Sequence, residues 1–189
     1  SWYGTPTKAA IIEFVEATTT PGGDSYIDPA ERIAVFDNDG TLWAEQPAYF
    51  QLAYALDKAK SMVEADPALA DKTPALKAAA SGDVDSLLAD GHKGLLQVLA
   101  ATHTGMTTDE FKQSVADWLA SARHPKTGRR YDEMVFQPML ELLSYLRANG
   151  FKTYIVSGGG IDFIRVFSER VYGIPPEQVV GSSVKADFV

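Results

Sequence analysis

The sequence predicts an α/β fold, a parallel sheet core whose chain is interrupted by a long helical insertion. Three observations predict it. The apolar run Ile33-Ala34-Val35-Phe36 reads as a buried strand inside a sheet, and it stops at Asp37-Asn38-Asp39-Gly40-Thr41. A second run, Phe151-Lys152-Thr153-Tyr154-Ile155-Val156, stops at Ser157-Gly158-Gly159-Gly160. Between Asp39 and Ser157 lie residues 40–156, 117 in all, and most of them carry helical patterning. A direct strand–helix–strand crossover needs far fewer.

The elements follow in order. Thr7–Thr18 carries Ile11, Ile12 and Val15 at helical spacing, with Phe14 beside them, and Pro21-Gly22-Gly23 breaks the chain before the first strand. Pro47 opens a stretch rich in Ala, Leu and Lys, with helices predicted near 48–64, 74–80, 92–102 and 108–122. Thr107 followed three residues later by Glu110 makes a capping box for the last of these. Pro138–Asn149 puts Met139, Leu142, Leu143 and Leu146 on one face and stops at Gly150. A helix is predicted over Ile161–Tyr172 and a third strand over Gln178–Val184.

Composition narrows the function classes. A chain of 189 residues with 46% hydrophobic content supports a real core, as one domain or a domain with a sizeable insertion. The net charge of −8, from 17 basic and 25 acidic residues, argues against a nucleic-acid partner, which asks for a basic stripe. It also means that a phosphate ester needs local positive charge or a metal to approach. No run of about 18 apolar residues is present, so no membrane span is expected. Cysteine is absent, which removes disulfides, thiolate nucleophiles and Cys-ligated zinc. The chain begins Ser1-Trp2 without methionine, as removal of a signal peptide or a tag would leave it.

The chemistry-bearing residues sit where strands end. Ligands of parallel sheets bind at the carboxyl ends of strands, which is where Asp37 falls. Asp37 and Asp39 are two apart, so both point one way if the strand continues. Two carboxylates that close repel, and a divalent cation is the usual remedy. Ser157 supplies a hydroxyl, the glycines after it let main-chain N–H groups approach an anion, and the 161–172 helix aims its positive end at the same place.

The Asp37–Thr41 string resembles motif I of the haloacid dehalogenase-like hydrolases, Asp-x-Asp-Gly-Thr, and the strand ending in Ser157 resembles their motif II. The resemblance implies a Rossmann-like core. It makes Asp37 a nucleophile that takes up a phosphoryl group and Asp39 the general acid/base. It implies Mg²⁺ held by the Asp37 carboxylate and the Asp39 main-chain carbonyl, and phosphate contacts from Asn38, Gly40, Thr41, Ser157 and Gly158. The helical stretch resembles the cap that many of these enzymes insert between motifs I and II. It is placed at 45–132, leaving 1–44 and 133–189 as the discontinuous core. The function so implied is a Mg²⁺-dependent phosphatase acting on a small phosphorylated metabolite.

Longer strings sharpen the resemblance. Asp37–Pro47, Arg123-His124-Pro125 and Gly173–Ser183 are similar to a bacterial phosphoserine phosphatase-like subgroup. Its members often carry an export signal, so a periplasmic or exported location is favoured. Two departures matter. Phosphoserine phosphatases place a glutamate nine residues after the nucleophile to hold the substrate amine; here that position is Gln46, with Glu45 the nearest acid. After Ser157 the acids are Asp162, Glu169, Glu177 and Asp187, none in the Gly-Asp or Asp-Asp setting of motif IV, and Lys185 comes early for the motif III lysine. The expectation is therefore a core lacking its C-terminal part, with Asp162 and Asp187 the first places to look for further metal ligands.

Other readings stay open. A phosphomutase uses the same two aspartates, and a chain truly ending at Val189 fits a non-catalytic module that binds phosphate or a partner. A dehalogenase needs no acid/base at the second position, so Asp39 argues against it. His92, His103 and His124 read as surface or helix-end residues, and Arg123, His124, Lys126, Arg129 and Arg130 as a basic hinge. Trp43 and Tyr49 either line a pocket mouth or pack inside.

Overall fold

The computed structural model describes residues 1–89 and 93–185; His92 and Asp187 lie outside the described residues. The chain divides into two compact units, Ser1–Glu45 with Arg123–Val189, and Gln46–Ala122.

The first unit holds a parallel three-stranded sheet in the order β1 (Ile33–Phe36), β2 (Lys152–Gly160), β3 (Val179–Ser182). Helix α1 (Pro6–Thr19) starts at Thr5, whose hydroxyl accepts the Lys8 N–H at 3.3 Å. Helix α8 (Gln137–Ala148) ends before Gly150, and with α1 it covers one face of β1. Val15, Leu146 and Phe151 form the core there, with Ala34, Phe36, Leu142 and Tyr145 packed around them. Each fully buried apolar side chain contributes about 2 kcal/mol.

The first strand is not buried on both faces as the apolar run suggests. It is an edge of the sheet among the described residues, and Ile33 and Val35 are 55% and 57% exposed. Alternate side chains point to opposite faces, so only Ala34 and Phe36 reach the α1–α8 core. An apolar groove of about 680 Å³ runs beside the strand between Phe14, Ile33, Val35 and Leu142; its lining includes neither aspartate of motif I nor Ser157.

The second strand runs further than its apolar stretch. It continues through Ser157-Gly158-Gly159 to Gly160, and these glycines are bulged strand rather than a free loop. The helix expected over 161–172 is two short ones, α9 (Ile161–Arg165) and α10 (Ser168–Tyr172). The break falls at Phe167, whose backbone (φ −124°) leaves the helical region while its ring is buried against Trp43.

The second unit is helical throughout its described residues: α2 (Phe50–Ala65), α3 (Ala68–Lys72), α4 (Pro74–Ser81), α5 (Val84–Leu88), α6 (Lys93–His103) and α7 (Thr108–Ser121). Ala55, Ala59, Ala75, Leu76, Ala79, Leu87 and Val98 form its core. The Thr107–Glu110 capping box is formed at the start of α7, with Glu110 N–H to the Thr107 hydroxyl at 3.2 Å and Thr107 N–H to Glu110 Oε2 at 2.7 Å. His103, at the end of α6, is half-buried between Gln51 at 3.2 Å and the Thr102 hydroxyl at 2.9 Å.

The helical unit ends at Ala122 rather than at 132. Residues 123–132 stay with the first unit for a structural reason. Arg123 bridges Arg130 in antiparallel fashion, and Asp132 pairs with Arg130 at 3.1 Å and Arg170 at 2.7 Å. His124 is buried rather than on the surface: its ring lies edge-on to Tyr131, and its Nδ1 accepts the Lys126 and Thr127 N–H groups.

Candidate active site

Asp37 is the first residue past β1, and it is exposed. The strand does not continue to Asp39. The carbonyl of Asn38 instead accepts the N–H groups of Thr41, Leu42 and Trp43 at 3.2, 2.9 and 3.3 Å, closing a tight turn. Gly40 sits in that turn at φ +69°, a conformation costly for other residues. A Cβ there would also lie 2.9 Å from the Glu45 carboxyl carbon, so Glu45 is folded back over the motif. The chain leaving the turn is pinned to the 134–136 segment by Ala44 N–H to the Met134 carbonyl at 2.9 Å and Phe136 N–H to the Leu42 carbonyl at 3.0 Å.

Asn38 turns inward. Its side chain is 1% exposed, and its Oδ1 accepts the Tyr172 hydroxyl at 3.1 Å. Its N–H donates to Asp37 Oδ1 at 2.7 Å. Any contact of Asn38 with a phosphate is therefore left to its main chain. Trp43 lines no pocket mouth: it is fully buried, stacked on Phe167 with centroids 4.3 Å apart, and its indole N–H donates to Asp39 Oδ1 at 2.7 Å. Tyr49 belongs to the second unit, where it is exposed.

The two motif I carboxylates differ. Burial pushes the Asp39 carboxyl above the usual carboxylate range; the Trp43 N–H opposes this, and the charges of Asp37 and Glu45 push it up again. Asp39 is thus disposed to hold a proton while its exposed neighbour faces water. The hard oxygen donors of Asp37 and Asp39 suit Mg²⁺, which binds through one or two carboxylates and keeps several waters. A cation also relieves the like-charge crowding that acts on Asp39. Among the described residues no cluster of three His, Asp or Glu side chains adds a closed cage, and Asp162 joins none.

Motif II is built as a bulge. Val156 pairs with Val180 and Gly160 with Ser182, so Ser157, Gly158 and Gly159 stand opposite the single residue Gly181. The Gly159 N–H donates to Ser157 Oγ at 3.1 Å, and the Ser182 hydroxyl donates to the Gly158 carbonyl at 2.9 Å. A Cβ on Gly181 would lie 2.7 Å from the Gly159 carbonyl oxygen. Only glycine lets β3 pass this close to the bulge. The pairing of β1 with β2 ends with Phe36 opposite Ile155, and Asp37 and Ser157 both follow that pair within two residues, which is how they come to one end of the ladder.

The structure thus gathers Asp37, Asn38, Asp39, Gly40, Thr41 and Glu45 into one turn, with Ser157 and Gly158 on the adjoining strand. Gln46 opens the second unit. Tyr172, Gly181 and Ser182 escaped the sequence reading. An isolated glycine within a strand is the one signal that pointed to a close backbone approach; nothing local marks Tyr172.

A sequence model of the haloacid dehalogenase-like hydrolases matches residues 34–188. No curated protein matches the chain. Among solved structures, the fold is similar to that of a phosphoserine phosphohydrolase-like protein from Francisella tularensis subsp. tularensis SCHU S4, at a TM-score of 0.44 and 21% identity. That match covers 82% of this chain and 60% of the other, so the chain spans less than two thirds of that protein's length.

Proposed function

The chain belongs to the haloacid dehalogenase-like hydrolases, and from that premise we propose that it is a Mg²⁺-dependent phosphatase of small phosphate monoesters. The observation that carries the reading is the asymmetry of the two aspartates. Asp37 is exposed at the end of β1, and Asp39 is half-buried with its proton affinity raised. An accessible carboxyl group beside one whose proton affinity is raised is what displacement at phosphorus asks for.

In this mechanism an Asp37 carboxylate oxygen attacks phosphorus, and the phosphorus–oxygen bond to the alcohol breaks. Asp39 gives its proton to the departing alkoxide. The aspartyl phosphate is then hydrolysed by a water whose proton Asp39 takes back. General acid–base action of this kind supplies roughly 10²–10⁴-fold in rate. The Asn38 N–H orients the Asp37 carboxylate. The Gly40 N–H and the Thr41 hydroxyl, with Ser157 and Gly158, hold the phosphoryl oxygens. The Asp37 carboxylate and the Asp39 carbonyl would hold Mg²⁺, whose charge offsets that of the phosphoryl group. Glu45, folded over Gly40, contacts the rest of the substrate.

The test is turnover of p-nitrophenyl phosphate with Mg²⁺. Asp37→Asn should abolish it, since an amide forms no acyl phosphate, and wild-type-like turnover by that variant excludes the mechanism. Asp39→Asn should let a phosphoenzyme accumulate with this activated ester.

A further inference from the structure

Motif I rests on a floor supplied by the segment that follows motif II. Phe163 is 6.4 Å from Trp43 between centroids and tilted, Phe167 is stacked on Trp43, and Tyr172 meets Phe167 edge-on at 6.0 Å. The Tyr172 ring, 2% exposed, also carries a hydroxyl, and that hydroxyl reaches Asn38 Oδ1 at 3.1 Å across 134 residues of chain. A buried side-chain hydrogen bond of this span is costly to leave unmade, so it ties the two segments in one geometry.

The tie is anchored at both ends. On one side, the Asn38 carbonyl collects the N–H groups of Thr41, Leu42 and Trp43, and its own N–H holds Asp37 Oδ1. A rotation of Asn38 therefore moves both catalytic carboxylates. On the other side, Tyr172 closes α10, where Gly173 at φ +68° gives its N–H to Glu169 and the Ile174 N–H reaches Ser168. Arg170 on the same helix is held by the buried Asp132 at 2.7 Å, which also receives Arg130. Burial keeps the phenol protonated well beyond its ordinary range, so it remains a donor.

We propose that Tyr172 is a positioning residue for motif I: its hydroxyl, acting through Asn38, sets the turn that aims Asp37 and Asp39. It touches neither the substrate nor the reacting atoms. The proposal rests on the phosphatase reading for its kinetic consequence and on geometry alone for its structural one. A misplacement of about 1 Å at a reacting group can cost on the order of 10²-fold in rate.

The experiment uses Tyr172→Phe, which keeps the ring and its contact with Phe167, alongside Asn38→Leu and the double variant in the full chain. Amide hydrogen exchange reads the turn directly. In Tyr172→Phe the amides of Thr41, Leu42 and Trp43 should exchange about tenfold faster, while those of Tyr154 and Ile155 in β2 keep their protection. With p-nitrophenyl phosphate, kcat should fall about tenfold or more with KM nearly unchanged. Tyr172→Phe should add little in the Asn38→Leu background. Unchanged exchange at 41–43 overturns the proposal. So does a uniform rise across both segments with kcat intact, which marks a residue that only stabilises the fold. If the wild-type protein hydrolyses no phosphate ester, the phosphatase reading fails, and the exchange pattern still decides the role of Tyr172.

Discussion

The indole N–H of Trp43 donates to the carboxylate of Asp39 at 2.7 Å, so a fully buried aromatic ring holds the acid/base of the proposed mechanism by its polar edge. The ring is fixed in turn by stacking on Phe167. Tryptophan serves here because its body fills the core while its single N–H faces one carboxylate oxygen.

Trp43→Phe keeps most of the packing and removes the donor. Hydrogen bonds to charged groups are worth roughly 1.5–3 kcal/mol, so unfolding should become easier by about 2 kcal/mol. The loss of a contact that favours the carboxylate form should raise Asp39's proton affinity further. Both limbs of the pH–rate profile governed by Asp39 should then move to higher pH. Urea unfolding and kcat across pH 4–9 check the two effects, and a profile that shifts to lower pH contradicts the assigned hydrogen bond.

Asp39→Asn should stabilise the metal-free protein at pH 7. The sign follows from linkage. A carboxyl whose proton affinity is higher folded than unfolded binds more protons in the native state, so stability falls as pH rises from the unfolded pKa through the folded one. Replacing it by a neutral amide removes that loss at neutral pH, and the difference should vanish in acid, where both forms are uncharged. Thermal melts in EDTA at pH 7 and pH 3 measure it. Adding Mg²⁺ should raise the wild-type midpoint, by an amount equivalent to about 2.7 kcal/mol at a hundredfold excess over Kd, and raise that of Asp37→Asn much less.

Gly181→Ala should disturb motif II without touching a reacting group. The new methyl would lie 2.7 Å from the Gly159 carbonyl oxygen and 3.1 Å from the Ile161 nitrogen, both of them backbone. Overpacking of this kind costs about 1–3 kcal/mol. The bulge carrying Ser157 and Gly158 should be pushed outward, raising KM or the inhibition constant of inorganic phosphate severalfold. A variant with wild-type stability and phosphate inhibition would mean that β3 yields freely at this point.

His103 makes the helical unit sensitive to acid. Burial lowers its proton affinity below the ordinary histidine value, only partly offset by its hydrogen bond with Leu99. The unfolded state therefore binds the proton more readily, and the stability contribution is present above the unfolded pKa and lost as pH falls through it. Amide protection in α6 and α2 should drop between about pH 7 and pH 5, where an unperturbed histidine takes up its proton. In His103→Gln that drop should be smaller.

Much of this site was legible from local chemistry. Strand ends, the Asp-x-Asp-Gly-Thr turn, the serine after the apolar run of β2 and the Thr107–Glu110 box each depend on a few consecutive residues, and such patterns survive folding because their causes are local. The helices of the second unit were legible for the same reason, apart from the short α3 and α5, which interrupt an alanine-rich stretch with little periodicity to mark them. The burial of β1 was misjudged because an apolar run specifies a strand but not how many neighbours it has. His124 was misjudged because a histidine's burial depends on residues distant in sequence, here Tyr131 and the chain that curls back over it.

By itself, the sequence determined the order of elements, the helical insertion between two strand-end motifs and the membership of Asp37, Asp39 and Ser157 in them. Only the tertiary structure decided how those residues are held. Tyr172 reaches Asn38, Gly181 backs the Ser157 bulge, and Phe167 breaks its helix to lie under Trp43. Each is a long-range contact between side chains or backbones that share no periodicity. Its energy exists only once the parallel pairing of β1, β2 and β3 has brought the segments together.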